Sequence, residues 1–115
     1  IKTIRNDEVV KILLPNKHKV EVKAKIDTGA WRSSIDKSFA EKNGLLQKDN
    51  ILWTKVFKSS LGSEERPVIN LSYYLAGTRI NTIASVANRA GLKKVIIIGR
   101  RDLQGFLVKV DDNTN

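Results

Sequence analysis

The sequence contains no cysteine, no methionine and a single histidine among its 115 residues. Without cysteine the chain has no disulfide, no thiolate ligand for a metal ion and no cysteine nucleophile. His18 alone could serve as the base of a Ser-His-Asp triad or as a zinc ligand, and it lies in a polar segment that is typical of a turn. We therefore expect His18 to be solvated, and we expect neither a metal site nor a cofactor.

Long apolar runs are absent as well. No stretch approaches the roughly 20 apolar residues of a membrane span, and no secretory signal is recognisable. We therefore expect no membrane partner, and the lack of cysteine and of a signal favours a cytoplasmic location.

Acidic residues are few: 12 against 21 basic ones, which gives a net charge of +9. This charge keeps a basic nucleic-acid-binding β domain as an alternative, although no RNA-binding aromatic signature accompanies it.

Short segments between turn signals predict one mainly β domain that spans residues 1–115. The clearest strand is residues 19–26, where apolar and charged side chains alternate, as in a half-buried strand. A short helix is predicted to begin near Ser34 or Asp36 and to stop at Gly44. The remaining predictions are strands at residues 9–14, 51–57, 68–76, 79–87, 95–98 and 106–110, a loop at 88–91, one or two helical turns at 100–104, and a frayed tail at 111–115.

Residues 58–67 separate two of these strands and are polar, with one glycine. This composition predicts a projecting hairpin with a long polar tip around Leu61 and Gly62.

The tripeptide Asp27-Thr28-Gly29, followed by Ala30, comes directly after the alternating strand. Gly29 can adopt backbone conformations closed to other residues and lets a substrate backbone come close. Thr28 brings a hydroxyl that can lock the turn by hydrogen bonding. The turn could therefore present a carboxylate rigidly to a cleft. On the tripeptide alone, a purely structural Asx turn is the favoured interpretation.

Two further features reverse that preference. They are the apolar strand that precedes Asp27 and the segment Ile-Ile-Ile-Gly-Arg at residues 96–100. Together they resemble the retropepsin family of aspartic proteases, which includes the retroviral proteases. In that family Asp-Thr-Gly-Ala lies in the first half of the chain, and Ile-Ile-Gly-Arg precedes a short helix near its end. The projecting hairpin between the two motifs matches the flap of the family.

Residues 24–30 and 98–108 are more closely similar to a bacterial and archaeal retropepsin-like family labelled "ATP-dependent zinc protease". The label has no chemical basis in this sequence. A phosphate-binding Gly-x-x-x-x-Gly-Lys loop is missing, and one histidine without cysteine leaves a poor ligand set for zinc.

The resemblance implies a closed, orthogonal β-barrel of the acid-protease type with one or two short helices, acting as one lobe of a homodimer. It implies an aspartic endopeptidase in which Asp27 of each copy contributes to a dyad that activates water, with Thr28 and Gly29 completing the catalytic turn. Residues 1–4 and 106–110 are the expected interface. The implied substrate-binding residues are Ala30, Trp31, Arg32, Leu61 and Gly62, and the implied structural ones are Ile98, Gly99 and Arg100.

The sequence departs from the retroviral pattern at Trp31 and Arg32, where retroviral proteases carry acidic residues. One of those acids pairs with the arginine of Gly-Arg, so the partner of Arg100 is open. The specificity for the peptide or protein substrate must also differ. A non-catalytic dimeric peptide-binding module of the same fold is a further alternative.

Overall fold

A computed structural model describes residues 1–88 and 93–110 of the chain. The strands in this part are β1 (Lys2–Arg5), β2 (Asp7–Leu13), β3 (Lys19–Ile26), β4 (Ser33–Asp36), β5 (Ile51–Ser59), β6 (Gly62–Leu75), β7 (Thr78–Ala87), β8 (Ile96–Ile98) and β9 (Phe106–Lys109). One α-helix, α1, covers Lys37–Lys42, and two 3-10 turns cover Lys48–Asn50 and Arg100–Asp102.

Six strands close into a barrel. Their order is β2-β3-β8-β4-β7-β6, and a second pairing between β2 and β6 completes the ring. The β3–β8 and β4–β7 pairs are parallel, whereas the other four pairs are antiparallel. β5 pairs with β6 and continues outward as a hairpin. β1 and β9 form a separate parallel pair. The closed, mainly β barrel that the resemblance implied is therefore present.

The core lies inside this ring and follows the predicted alternation. In β3, Val22, Ala24 and Ile26 are buried, whereas the charged residues between them are exposed. β8 lies between β3 and β4, and Ile96 and Ile98 are both completely buried. Because β8 has neighbours on both edges and is buried on its inner face, it anchors the segment that leads to Gly99.

Asp36 is the N-cap of α1, and its carboxylate accepts a hydrogen bond of 3.1 Å from the backbone N–H of Phe39. This confirms one of the two predicted helix starts. The other, Ser34, is wrong because it lies within β4, a strand that the sequence did not predict. β4 pairs with both β7 and β8, and these two tertiary neighbours determine its extended conformation.

The predicted projecting hairpin is present, but the predicted length of its tip, residues 58–67, is wrong. β5 and β6 remain paired from Thr54 and Pro67 out to Ser59 and Gly62, so the turn contains only two residues, Ser60 and Leu61. The polar composition has a physical reason, since almost every side chain of this segment is exposed on both faces of the hairpin.

His18 is exposed, as predicted, and its backbone N–H donates to the side chain of Asn16. The predicted tail at residues 111–115, and the predicted loop at 88–91 beyond Asn88, lie outside the described residues. In the part of the chain that the structure describes, no helix is long and apolar enough to cross a membrane.

Candidate active site

The turn that carries Asp27 begins where β3 ends. The backbone N–H of Asp27 donates to the carbonyl oxygen of Ile98 at 2.9 Å, and the N–H of Ala30 donates to the carbonyl oxygen of Asp27 at 3.2 Å. The N–H of Gly29 donates to the Oδ1 atom of Asp27 at 2.9 Å. Asp27 is half-buried, whereas Thr28 and Gly29 are exposed. The turn therefore holds the carboxylate by one of its oxygens at an accessible surface.

Gly29 does not adopt the left-handed conformation that glycine allows. The glycines with positive φ in the described residues are Gly44, Gly62, Gly77 and Gly105. A Cβ atom at Gly29 would lie 3.2 Å from the Oδ1 atom of Asp27. The position therefore favours glycine because little space remains beside the carboxylate, and the wider conformational freedom of glycine is not used here.

The second motif is bonded directly to this turn. The backbone N–H of Arg100 donates to the carbonyl oxygen of Ala30 at 2.8 Å, and that of Arg101 donates to the carbonyl oxygen of Trp31 at 3.0 Å. A Cβ atom at Gly99 would lie 2.6 Å from the Trp31 carbonyl oxygen. Such a contact is too close for any other residue, so Gly99 is what allows the two motifs to meet.

Arg100 supplies the remaining link. Its Nη1 atom donates to the carbonyl oxygen of Thr28 at 2.9 Å. Its Cζ atom also lies 5.7 Å from the ring centroid of Trp31, within the range of a cation–π interaction. The open question of its partner is thus answered by a backbone carbonyl and an aromatic ring.

Behind the turn lies a hydrogen-bonded cluster that the sequence analysis missed. The carboxylate of Asp102, which is only 8% exposed, accepts hydrogen bonds from the hydroxyls of Ser33 at 2.5 Å, Tyr73 at 2.8 Å and Thr82 at 2.6 Å. The hydroxyl of Ser33 in turn accepts from the backbone N–H of Gly99 at 3.1 Å. Asp102 therefore connects β4, β6 and β7 to the second motif.

Burial raises the pKa of the Tyr73 phenol, and the negative charge of Asp102 raises it further. Three hydroxyl donors satisfy the buried carboxylate, which would otherwise be costly to bury. The only sequence signal for this cluster was an aspartate two residues after Arg100. Its partners cannot be recognised from the sequence because they come from three separate strands.

Of the two residues that follow Ala30, Arg32 reaches the hairpin, whereas the ring of Trp31 lies beside Arg100. Trp31 is 54% exposed, and the Cζ atom of Arg32 lies 5.3 Å from the ring centroid of Trp53 in β5. Leu61 and Gly62, the predicted substrate-binding residues of the hairpin tip, are not brought against the Asp27 turn in the single chain. Leu61 is 98% exposed, and no atom lies within 4 Å of a Cβ built on Gly62.

Within residues 1–88 and 93–110, no three His, Cys, Asp or Glu side chains lie together in a group that could hold a metal ion.

No protein-family model matches this chain, and no curated protein sequence matches it. Solved structures do match. The protease of simian foamy virus is 16% identical with a TM-score of 0.60, and the match covers 84% of this chain and 90% of that one. A retropepsin-like aspartic protease from Rickettsia conorii is 20% identical with a TM-score of 0.57, covering 87% and 79%. A Legionella pneumophila protein of unknown function is 14% identical with a TM-score of 0.61, covering 95% and 93%.

These likenesses show that the chain has the fold of the retropepsin-like aspartic proteases. The expected fold class, a closed β-barrel of the acid-protease type with few helices, is confirmed. The closer resemblance to the family labelled "ATP-dependent zinc protease" finds no support among the comparisons.

Proposed function

We propose that the chain is an aspartic endopeptidase with Asp27 as its catalytic carboxylate. One observation carries the proposal. In a barrel with the retropepsin fold, the turn of Asp27 is bonded to the second motif through the carbonyl oxygen of Ile98 and the guanidinium of Arg100. A carboxylate held this way, half-buried beside exposed backbone, suits a reaction that requires a positioned acid or base.

The mechanism needs a second carboxylate. The sequence contains one Asp-Thr-Gly, so the second Asp27 would come from another copy across a twofold axis. Of the two carboxyl groups, one would take a proton from the attacking water while the other would donate a hydrogen bond to the scissile carbonyl oxygen. Thr28 would brace the paired turns, and Gly29 would lie against the substrate backbone.

The β1–β9 pair is the proposed dimer interface. These strands pair with each other in parallel, and among the described residues neither pairs with a third strand. Their surroundings expose apolar side chains to solvent: Ile1 is 98% exposed, Leu107 is 59% exposed and Val110 is 71% exposed. A partner's residues 1–4 and 106–110 would cover this apolar surface and the open strand edges.

Substrate would lie between the Asp27 turn and the β5–β6 hairpin. Ala30, Trp31 and Arg32 would contact it from the side of the turn, and Leu61 and Gly62 from the tip of the hairpin. Closure of the hairpin over a bound peptide would exclude water and would bring the exposed Leu61 into contact.

The test is the cleavage of a diverse peptide mixture by the wild type and by Asp27→Asn in parallel. The substitution keeps the shape and removes the charge, so thermal unfolding should be unchanged while hydrolysis is lost. Asp49→Asn is the matched control, because Asp49 is an exposed aspartate on a 3-10 turn outside the proposed site. Equal cleavage by Asp27→Asn and Asp49→Asn would rule out the aspartic mechanism.

A dimeric peptide-binding module without catalysis is the second candidate. Trp31 and Arg32 favour it, since they occupy positions where retroviral proteases carry acidic residues. Peptides that bind the wild type and Asp27→Asn equally, and that neither protein hydrolyses, would support this candidate instead.

A further inference from the structure

The two faces of the β5–β6 hairpin differ in charge. Side chains alternate between the faces of a strand, and cross-strand partners share a face. The register therefore groups one set of side chains on one face: Trp53, Lys55, Phe57, Glu64 and Arg66. The opposite face carries Thr54, Val56, Lys58, Ser63, Glu65 and Pro67.

Contacts confirm this grouping. The Cζ atom of Arg66 lies 4.5 Å from the ring centroid of Phe57, and its Nη2 atom donates to Glu64 at 3.1 Å. The first face also contacts the segment that follows the Asp27 turn. The Cζ atom of Arg32 lies 5.3 Å from the ring centroid of Trp53.

We define the cationic surface as this face of the hairpin together with the neighbouring Arg32; its members are Arg32, Trp53, Lys55, Phe57, Glu64 and Arg66. It contains three cations and one acid, and that acid is engaged by Arg66. The opposite face of the same hairpin contains one cation and one acid, Lys58 and Glu65. On the hairpin alone, the first face has two cations, Lys55 and Arg66, against one on the opposite face, and Arg32 adds a third.

Two features of the cationic surface indicate a ligand. Trp53 and Phe57 are 42% and 45% exposed although a guanidinium lies over each ring, so apolar ring surface remains accessible beside the cations. The Nε atoms of Arg32 and Arg66 are the buried side-chain atoms that lack a hydrogen-bond partner within the described residues. Unpaired buried donors are costly, and a carboxylate that drew the two guanidinium groups toward it would remove that cost.

The geometry points to an acidic peptide as the occupant. A nucleic acid carries charge uniformly along its backbone, so any strand running from this surface to the Asp27 turn would be repelled by that carboxylate. A peptide can place a glutamate or aspartate at the cationic surface, an apolar side chain on the rings, and an uncharged backbone at the turn.

We propose that the cationic surface selects peptides with an acidic side chain flanking an apolar one. For its effect on cleavage the inference rests on the proposed peptidase function. The binding preference itself depends only on the surface, and this separates the two tests.

Binding is measured on Asp27→Asn by fluorescence anisotropy with three labelled peptide pools. The pools share the same randomised apolar positions and differ only in whether the remaining positions are Glu, Gln or Lys. We expect the Glu pool to bind about tenfold more tightly than the Gln pool at low salt, with the difference shrinking as salt is added. The Lys pool should bind least.

Variants then locate the effect. Arg32→Gln and Lys55→Gln, each made in the Asp27→Asn protein, should each reduce the preference for Glu over Gln about threefold. Lys58→Gln removes the same charge from the opposite face of the hairpin and should leave the preference unchanged. Thermal unfolding of each variant, compared with that of its parent, separates a lost contact from a lost fold.

The inference is overturned if the Glu pool has no advantage, or if Lys58→Gln reduces the preference as much as Arg32→Gln does. It is also overturned if single-stranded DNA displaces the Glu pool more effectively than unlabelled Glu peptides do, which would indicate a nucleic-acid surface. A wild type that binds acidic peptides selectively but hydrolyses none would refute only the peptidase function. Hydrolysis without any charge preference would refute only the present inference.

Discussion

The guanidinium of Arg100 and the carbonyl oxygen of Thr28 form a hydrogen bond of 2.9 Å across 72 residues of sequence. The bond joins the second motif to the turn that presents Asp27. Retroviral proteases carry an acidic side chain at the position of Trp31. In this chain the backbone carbonyl oxygen of Thr28 accepts the hydrogen bond instead, so Arg100 has a partner without that acid. The ring of Trp31 covers the guanidinium instead.

Arg100→Ala should therefore weaken the fold around the turn. The lost hydrogen bond and cation–π contact should reduce the free energy of unfolding by about 1–2 kcal/mol, the low end for a charged donor because Arg100 is exposed. Chemical denaturation of the wild type and the variant measures this difference. We expect loss of stability or of dimerisation to precede any direct effect on turnover, since a protonated guanidinium cannot serve as a base.

Arg101→Ala is the control for Arg100→Ala. Arg101 is exposed, and its backbone N–H, which the substitution keeps, makes the hydrogen bond to Trp31. A similar loss of stability in both variants would show that the link to Thr28 is not what matters. An Arg100→Ala variant with normal stability and normal dimerisation but no turnover would show that the side chain acts directly in the reaction.

Gly99→Ala should be more damaging than its size suggests. The added methyl group would meet the Trp31 carbonyl oxygen at 2.6 Å and the carbonyl carbon of Arg32 at 2.8 Å, and backbone atoms cannot turn aside as a side chain can. We expect a loss of about 3 kcal/mol or more in the free energy of unfolding, the upper end for overpacking in a rigid environment.

Gly29→Ala provides the contrast to Gly99→Ala. Its methyl group would meet only a side-chain oxygen, Oδ1 of Asp27, at 3.2 Å, so the structure can adjust. We expect a smaller loss of stability and a larger effect on hydrolysis, because the adjustment moves the proposed catalytic carboxylate. Equal unfolding free energies for the two variants would show that the two motifs do not meet as tightly as the structure indicates.

The elements that the sequence predicted well are those whose pattern reflects burial on one face. β3 alternates strictly, and its bounds, Lys19–Ile26, were predicted without error. Asp36 was predicted as a helix cap because a local side-chain hydrogen bond determines that role. The resemblance of two motifs was enough to indicate the barrel, since those motifs carry β3, β8 and the turn between β3 and β4.

The parts that the sequence did not predict depend on neighbours distant in sequence. β4 is extended because β7 and β8 flank it, and no local pattern marks it. The outer half of the hairpin has no buried face, so its strands have the composition of a loop. The role of Asp102 depends on hydroxyls from β4, β6 and β7, and only the folded chain brings these together.

Dimerisation should depend on Leu107. Leu107 is 59% exposed on β9, in the proposed interface, and Leu107→Glu would place a charge where a partner is expected. We predict weaker self-association by sedimentation and an unchanged unfolding of the monomer. Activity per chain should fall when the wild type is diluted. For the variant, this loss should begin at a higher protein concentration, as mass action requires.

Val9→Glu is the control for Leu107→Glu. Val9 is 53% exposed on β2, a barrel strand outside the proposed interface, so it presents a similar apolar side chain to solvent. Self-association should be unaffected by this variant. A wild type that remains monomeric while its specific activity persists on high dilution would contradict the proposed dimer.

Tyr73 should make stability depend on alkaline pH. Burial, followed by the charge of Asp102, raises the pKa of its phenol above the value of about 10 expected in the unfolded chain. The unfolded state therefore loses this proton first, so the stabilisation is complete below about pH 10 and declines by about 1.4 kcal/mol per pH unit above it. Tyr73→Phe removes the hydrogen bond to Asp102 and should cost about 1–2 kcal/mol at neutral pH, yet its stability should decline less steeply above pH 10.

The two curves of unfolding free energy against pH, measured by urea denaturation, should converge as pH rises. Tyr74→Phe, which keeps the Tyr73 phenol, should retain the wild-type slope. Parallel curves for the wild type and Tyr73→Phe would show that the phenol does not titrate with unfolding and that the Asp102 cluster is more open to solvent than the structure indicates.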